Sequence, residues 1–309
     1  MLAIEVNNVG KSYGKVRALD GVSFAVEQGE VFGLIGPDGA GKTSLFRILA
    51  TLLLPNEGSA TVDGFDVKKQ MRDVRCRMGY MPGKFSLYED LTVEENLRFF
   101  ATLFGTTIED GYDSIRAIYS QIEPFKNRKA GALSGGMKQK LALSCALVHS
   151  PSVLLLDEPT TGVDPVSRKE FWEMLSALKE RGITIVASTP YLDEVRQCER
   201  VAFLSEGKIL GIGTPDIVLT EFASVFNPPG LSHEKGVATE RDNVIEVSHL
   251  VKAFGSFRAV DDISFTVGRG EIFGFLGANG AGKTTAMHML TGLNQPTSGS
   301  GKVVGYDIS

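Results

Sequence analysis

The run GPDGAGKTS at residues 36–44 constrains this chain more than any other. It fits the spacing G-x-x-x-x-G-K-[ST] and lies between the apolar runs VFGLI and LFRILATLL, so it reads as strand, glycine loop and helix. Gly36, Gly39 and Gly41 let the backbone amides curl around phosphate oxygens, and the start of the helix adds positive potential. The helix is predicted to bury Leu45, Ile48, Leu49, Leu52 and Leu53, which recur at i, i+3, i+4, i+7 and i+8. Such a unit belongs in an α/β layer architecture.

The same loop recurs as GANGAGKTT at residues 277–285. Around it, EVSHLVKAFGSFRAVDDISFTVGRGEIFGFLGANGAGKT from Glu246 aligns without a gap on EVNNVGKSYGKVRALDGVSFAVEQGEVFGLIGPDGAGKT from Glu5. The agreement continues to VDGFDV against VVGYDI, which marks a duplicated domain rather than a solenoid period. Between the copies, NPPGLSHEKGVATERDN is polar and aperiodic with Pro and Gly, and reads as a linker. The expected organisation is a complete domain over residues 1–222, a linker over 223–243 and the opening of a second copy over 244–309. A length of 309 residues suits about two domains.

The net charge of −5 argues against nucleic acid as a partner, because phosphate backbones need a basic surface. Cys76, Cys145 and Cys198 are too scattered for a disulfide or metal framework, which fits a reducing compartment. The N-terminus has no signal-peptide pattern, and runs such as ILATLLL are too short to span a bilayer. Work at a membrane therefore requires a membrane part on another chain.

Two further segments carry chemistry. In PSVLLLDEPTTGVDP, Val153 to Leu156 form a continuous apolar run, as a parallel strand buried on both faces requires. Asp157 at its carboxyl end can hold a Mg²⁺ shell, and Glu158 can orient or deprotonate an attacking water. Lys42 is placed to reach the β- and γ-phosphates, and the Thr43 hydroxyl to ligate Mg²⁺. In LSGGMKQKLALSCALV, Ser134 is a natural helix N-cap, and Gly135 and Gly136 leave bare amides beside it. Such a terminus is also an anion site, one suited to a phosphate held by another domain. Met137, Leu141, Ser144, Cys145 and Val148 are the expected inner stripe of that helix.

With phosphate loop, LSGGMKQ, LLLDEP and TGVD in this order and spacing, residues 1–222 resemble the ATPase subunits of ATP-binding cassette (ABC) transporters. The resemblance implies a P-loop fold: a mostly parallel core sheet, an antiparallel β-subdomain and a helical subdomain bearing the signature, followed here by a partial second copy. It implies ATP and Mg²⁺ as ligands and Glu158 as the catalytic carboxylate. The ATP site would comprise Gly36, Pro37, Asp38, Gly39, Ala40, Gly41, Lys42, Thr43, Ser44 and Asp157, with Tyr13 stacked on adenine. In the second copy it would comprise Phe254, Gly277, Ala278, Asn279, Gly280, Ala281, Gly282, Lys283, Thr284 and Thr285. Thr43, Asp157 and Thr284 are the implied metal ligands. ATPase domains of this family pair head to tail, so Ser134, Gly135 and Gly136 would face another domain's phosphate loop, with Asp164 in the TGVD loop beside them.

KFSLYEDLTVEENL, residues 84–97, resembles exporter ATPases whose permease subunits are separate integral-membrane chains. The tandem layout, with LYEDLTV and YLDEVRQC, is similar to bacterial fused ATPase subunits. The implied location is cytoplasmic, peripheral at the inner face of the cell membrane. A permease helix would enter the groove between core and helical subdomain, where LYEDL would supply Leu87, Tyr88 and Leu91. Tandem ATPases acting in translation carry a long charged helical linker instead.

Two positions depart from the family pattern. After GYMP the family has a glutamine where this chain has Gly83, and after VAST a histidine where it has Pro190. Glycine offers no side chain, and proline neither a donor nor an imidazole. Loss of a transition-state donor typically costs about 10²–10³ in rate, so the expectation is nucleotide binding with slow turnover at the Lys42 site, or a degenerate regulatory subunit. The second copy is read as the opening of an ATPase domain that this chain leaves incomplete, through an interrupted gene or an incomplete gene reading.

Overall fold

The computed structural model describes residues 1–83, 87–223, 243–277 and 281–308. The chain divides into two compact units, Met1–Val163 with Ser167–Pro228, and Asp164–Val166 with Pro229–Ser309.

The first unit opens with an antiparallel hairpin, β1 (Leu2–Tyr13) and β2 (Val16–Glu27). β3 (Val31–Ile35) runs into the phosphate loop and α1 (Lys42–Leu49). β4 (Glu57–Val62) returns to pair with β1, and β5 (Phe65–Asp66) extends that sheet to the order β2-β1-β4-β5. After α2 (Met71–Arg77), β6 (Met78–Met81) enters the main sheet. A helical region follows with α3 (Val93–Leu103), α4 (Ile108–Tyr119) and α5 (Gly135–Leu147). β7 (Val153–Asp157), α6 (Pro165–Glu180) and β8 (Thr184–Ser188) return the chain through the sheet. α7 (Leu192–Val195) leads to the hairpin β9 (Arg200–Ser205) and β10 (Lys208–Gly213), and α8 (Pro215–Glu221) follows.

The main sheet has the order β10-β9-β3-β8-β7-β6, parallel throughout except for β10. Its central strands are apolar on both faces because both faces are covered. Strand alternation sends Val31, Ile35, Leu154, Leu156 and Ile185 to a core shared with the helical region and α6. Phe32, Leu34, Val153, Leu155 and Val186 go to a second core under the β1–β2 hairpin and α1.

Two helices differ from their sequence patterns. α1 buries Leu45, Phe46, Ile48 and Leu49, but it ends at Ala50, and Thr51 takes a left-handed φ of 56°. The predicted stripe therefore overruns the helix: Leu53 is half-buried, and Leu52 is 61% exposed. α5 does not bury a stripe alone. Leu141 through Leu147 are buried on every side, because α3 and α4 pack on it from one direction and β6 from another. Met137, at its exposed start, is half-buried against the core.

The second unit holds the hairpin β11 (Asn243–Phe254) and β12 (Phe257–Gly268), then α9 (Lys283–Leu290), β13 (Ser298–Val303) and β14 (Tyr306–Asp307). Its sheet order is β12-β11-β13-β14, the arrangement of the first unit's β1–β5 sheet. A small core of Val247, Leu250, Val260, Ala286, Met289 and Ile308 joins the sheet to α9. The run EIFGFLG, which aligns with the sequence of β3, forms no strand at residues 271–277, and Ile272 and Leu276 are 92% and 94% exposed. Among the described residues, no strands lie beside it as β8 and β9 lie beside β3.

Candidate functional site

The phosphate loop of the first unit is held open by its glycines. Gly41, the residue before α1, has φ +108°, and a Cβ on it would stand 2.4 Å from the Ala18 carbonyl oxygen. At Gly36 the same atom would stand 1.9 Å from the Leu204 carbonyl oxygen. Both approaches exclude any side chain. The loop is further tied where Ala40 donates to the Pro37 carbonyl and Gly207 donates to Ala40.

Lys42 is buried, and its Nζ donates to the carbonyls of Gly36 and Pro37 at 2.9 and 3.1 Å. The same nitrogen lies 3.6 Å from Oε1 of Glu158. The sequence pattern joined Lys42 and Glu158 by function; the fold joins them because β3 and β7 both flank β8 and end on the same side. Asp157 and Ser188 are register partners at the ends of β7 and β8. Ser188 Oγ donates to Asp157 Oδ1 at 2.9 Å and accepts from the Glu158 N–H at 2.9 Å. Sequence reading missed Ser188, although polar residues ending two adjacent apolar runs were its visible signal. Glu158 has a left-handed φ of 50°, an unusual conformation for a residue with a Cβ. Burial, with the Asp157 charge second, pushes the Tyr80 phenol up to about 12, so it remains a neutral donor.

Tyr13 is 47% exposed, its hydroxyl lies 3.3 Å from Ser44 Oγ, and Lys11 Nζ stands 5.6 Å from its ring centroid. Phe254 is likewise exposed. In the second unit, Lys283 donates to the Gly277 carbonyl at 2.6 Å, repeating the contact of Lys42 with Gly36. Thr284 and Thr285 lie in α9, behind Ala281 and Gly282; Ala278, Asn279 and Gly280 lie outside the described residues.

Both departing positions fall at the site. A Cβ on Gly83 would stand 2.9 Å from the Asp157 carbonyl oxygen. Pro190 is exposed and lines a shallow pocket with Gly36, Pro37 and Asp38. Ser134 caps α5, accepting from the Met137 N–H at 3.4 Å, while Gly136 faces Ser167 instead of the phosphate loop. Asp164 lies just before α6.

A groove of about 870 Å³ opens between the main sheet and the helical region, lined by Leu52, Met71, Arg75, Phe100, Leu103 and His149 among others. Leu87 also lines it but is buried in the core, and Leu91 is half-buried, so of the three expected anchors only Tyr88 is exposed. The Asn96 side chain pins this segment. It accepts from the Tyr88 N–H at 2.9 Å and donates to the carbonyls of Tyr88, Leu91 and Thr92. His149 stacks on Phe104 at 3.8 Å between ring centroids, and burial lowers its pKa. No helix among the described residues is long and apolar enough to cross a membrane.

The donor set of this site suits a polyphosphate: a glycine cradle closed to side chains, one lysine and two hydroxyls, with a buried carboxylate alongside. The profile of the ABC transporter family matches residues 19–161 and 260–309. The probable multidrug ABC transporter ATP-binding protein YbhF of Escherichia coli (strain K12) is 39% identical over 92% of this chain, which spans 63% of that relative's length. The Nod factor export ATP-binding protein I of Paraburkholderia xenovorans (strain LB400) is 39% identical, over 73% of this chain and 77% of its own. Among solved structures, the ATP-binding subunit of an ABC transporter superposes with a TM-score of 0.65 at 28% identity, covering 73% of this chain and 95% of that one. A dimeric post-hydrolysis state of the cassette MJ0796, bound to ADP and Pi, superposes at 0.63 with 26% identity, covering 69% and 98%.

Proposed function

The chain belongs to the ABC transporter family, and on that footing we propose that it is an ATP-binding, slowly hydrolysing subunit of an ABC exporter, acting on a permease carried by separate membrane chains. The observation that carries this reading is the meeting of Lys42 and Glu158 at the mouth of the glycine loop, 3.6 Å apart, with Asp157 buried beside them. Lys42 binds the terminal phosphates of ATP, and Tyr13 offers its exposed face to the adenine. Thr43 and Asp157 would hold Mg²⁺, which neutralises phosphate charge. Glu158 accepts a proton from the attacking water or orients it. The lysine's hydrogen bonds to Gly36 and Pro37 keep its charge at the loop.

The dimeric MJ0796 cassette and the exposed Ser134 cap of α5 both support head-to-tail pairing, with Ser134–Gly136 and Asp164 serving a phosphate loop on another domain. The second family match supports reading residues 244–309 as part of a second ATPase domain, so that tandem pairing within one protein is part of the proposal. Residues 1–222 form the first such domain, and 223–243 the linker. Exporter function is supported by the names of the multidrug and Nod-factor relatives. The apolar groove, with exposed Leu52 and Leu103 in its lining, is the proposed seat of a permease helix, and the proposed location is the inner face of the cell membrane.

The test is binding of a fluorescent ATP analogue to the chain with Mg²⁺. Lys42→Ala is expected to abolish binding at the first site. Because the second loop is an independent candidate, the measurement is made in a Lys283→Ala background. Unchanged affinity would sink the assignment.

A further inference from the structure

Glu194 on α7 is 3% exposed, and the nucleotide chemistry above gives it no role. Its Oε2 accepts hydrogen bonds from two fully buried hydroxyls, Thr160 Oγ1 at 2.9 Å and Thr189 Oγ1. Thr160 stands two residues after Glu158, on the exit of β7. Thr189 stands on the exit of β8, immediately before Pro190, and its hydroxyl accepts from the Tyr191 N–H at 3.1 Å. One carboxylate therefore ties together the two strand exits that frame the site.

The other oxygen faces a cation. Arg168 on α6 brings Nη1 to 3.7 Å from Glu194 Oε1, and neither atom has a hydrogen-bond partner among the described residues. The guanidinium lies 4.1 Å from the centroid of the Tyr191 ring, and its Nη2 lies 3.7 Å from the exposed Asp193 carboxylate. α6 begins directly after Asp164. A buried ion pair with unmade hydrogen bonds is a poor source of stability, since desolvation costs several kcal/mol per ion. It is better suited to fixing a geometry.

We infer that Glu194 and Arg168 are positioning residues for the proposed hydrolysis: together they hold the β7 exit, with Glu158, in register with the β8 exit and the phosphate loop. Misplacement of a reacting group by about an ångström can cost on the order of 10²-fold in rate. Thr189 and Pro190 make this tie matter more here, because Pro190 offers no polar side chain of its own to hold the β8 exit. The inference rests on the ATPase reading, and the experiment separates the two.

The full chain is assayed for ATP turnover with Mg²⁺ and for affinity toward the fluorescent ATP analogue. Glu194→Gln keeps the volume and one oxygen to accept from both threonines, but removes the charge facing Arg168. Arg168→Met keeps the stem and removes the cation, and Arg168→Lys restores it. The expected result is a kcat reduced about tenfold or more in Glu194→Gln and Arg168→Met. KM and analogue affinity stay within about twofold, and Arg168→Lys recovers most of the rate. Thr160→Val, which deletes one hydroxyl at constant shape, is expected to lower kcat in the same way and guards against a variant that does not fold. Wild-type kcat in Glu194→Gln and Arg168→Met, or KM rising in step with the loss, would overturn the inference. So would loss of folded structure in all of them. A parent chain that binds no analogue defeats the ATPase reading instead.

Discussion

Alanine at Gly36 is expected to do far more damage than alanine at Gly39, although both stand in the same loop. At Gly36 the backbone sits at φ +151°, and an added Cβ would lie 1.9 Å from the Leu204 carbonyl oxygen. Carbon contacts are comfortable at roughly 3.5–4.0 Å, so the loop or β9 must move by on the order of an ångström. β9 resists, because it pairs with β3 on one side and β10 on the other. Overpacking of this kind costs about 1–3 kcal/mol, and a Cβ at positive φ about 1–2 kcal/mol more. The total is about 2–5 kcal/mol. At Gly39, φ is +78° and no heavy atom of the described residues lies within 4 Å of the added Cβ. Only the positive φ then counts, offset by about 0.4–1 kcal/mol because alanine restricts the unfolded chain. For a unit of this size each kcal/mol moves Tm by about 2–4 °C. Calorimetry should therefore show Gly36→Ala lowering the first unit's Tm by about 4–20 °C, and Gly39→Ala by a few degrees at most. In the Lys283→Ala background, binding of the ATP analogue should be lost only in the former. Equal shifts in the two variants would refute the view that β9 holds the loop rigidly at Gly36.

Turnover at the Lys42 site is expected to rise about tenfold or more with Pro190→His, which places an imidazole donor at the edge of the phosphate loop; an unchanged rate in the ATPase assay would show that this position does not limit it. Adding Gly83→Gln should help less than its chemistry suggests, since its Cβ must displace the Asp157 carbonyl, 2.9 Å away. Tyr88→Ala and Leu103→Asp should weaken co-purification with a reconstituted permease while circular dichroism stays unchanged, and loss of fold instead would count against the groove. The Lys179 hydrogen bond holds the Glu199 carboxyl below its ordinary value of 4.5. Its stabilisation is present above the unfolded pKa and fades as pH falls through the lowered one. Glu199→Gln should thus lower the urea midpoint at neutral pH by an amount that shrinks as the medium is acidified, the carboxylate being partly exposed and the effect small.

The elements that carry strong local codes were legible in the sequence. VLLLD reads as a strand covered on both faces, and Ser134 announces a helix start by its side-chain cap. Of the site, the loop glycines, Lys42, Asp157 and Glu158 were readable because phosphate chemistry restricts residue type and spacing together. What stayed hidden depends on partners distant in the chain. Nothing near Glu194 says that it will face Arg168 and receive hydroxyls from Thr160 and Thr189. Leu52 fits the helical period of α1, yet the helix stops before it, and the side chain lines the groove. Leu87, read as a surface anchor, is drawn into the core by the turn that Asn96 pins.

The duplicated loop separates local from tertiary causes within one molecule. VFGLIG and IFGFLG differ by little, and each precedes a lysine-bearing helix. The local features repeat: Gly282 takes φ +87° before α9 as Gly41 takes +108° before α1, and each loop lysine donates to the carbonyl of its first glycine. The strand does not repeat. Val31–Ile35 is wholly buried between β8 and β9, whereas the matching run in the second unit forms no strand and leaves Ile272 and Leu276 almost fully exposed. An apolar pentapeptide becomes a central strand only when neighbours accept its backbone hydrogen bonds and cover both its faces. The glycine geometry shows the same dependence. At Gly36 an added Cβ strikes the backbone of β9, while at Gly277, with φ +157°, it meets, among the described residues, the Ala281 side chain at 3.3 Å. The cradle's curl is thus a property of the loop and the helix behind it, and its rigidity is a property of the strands beside it.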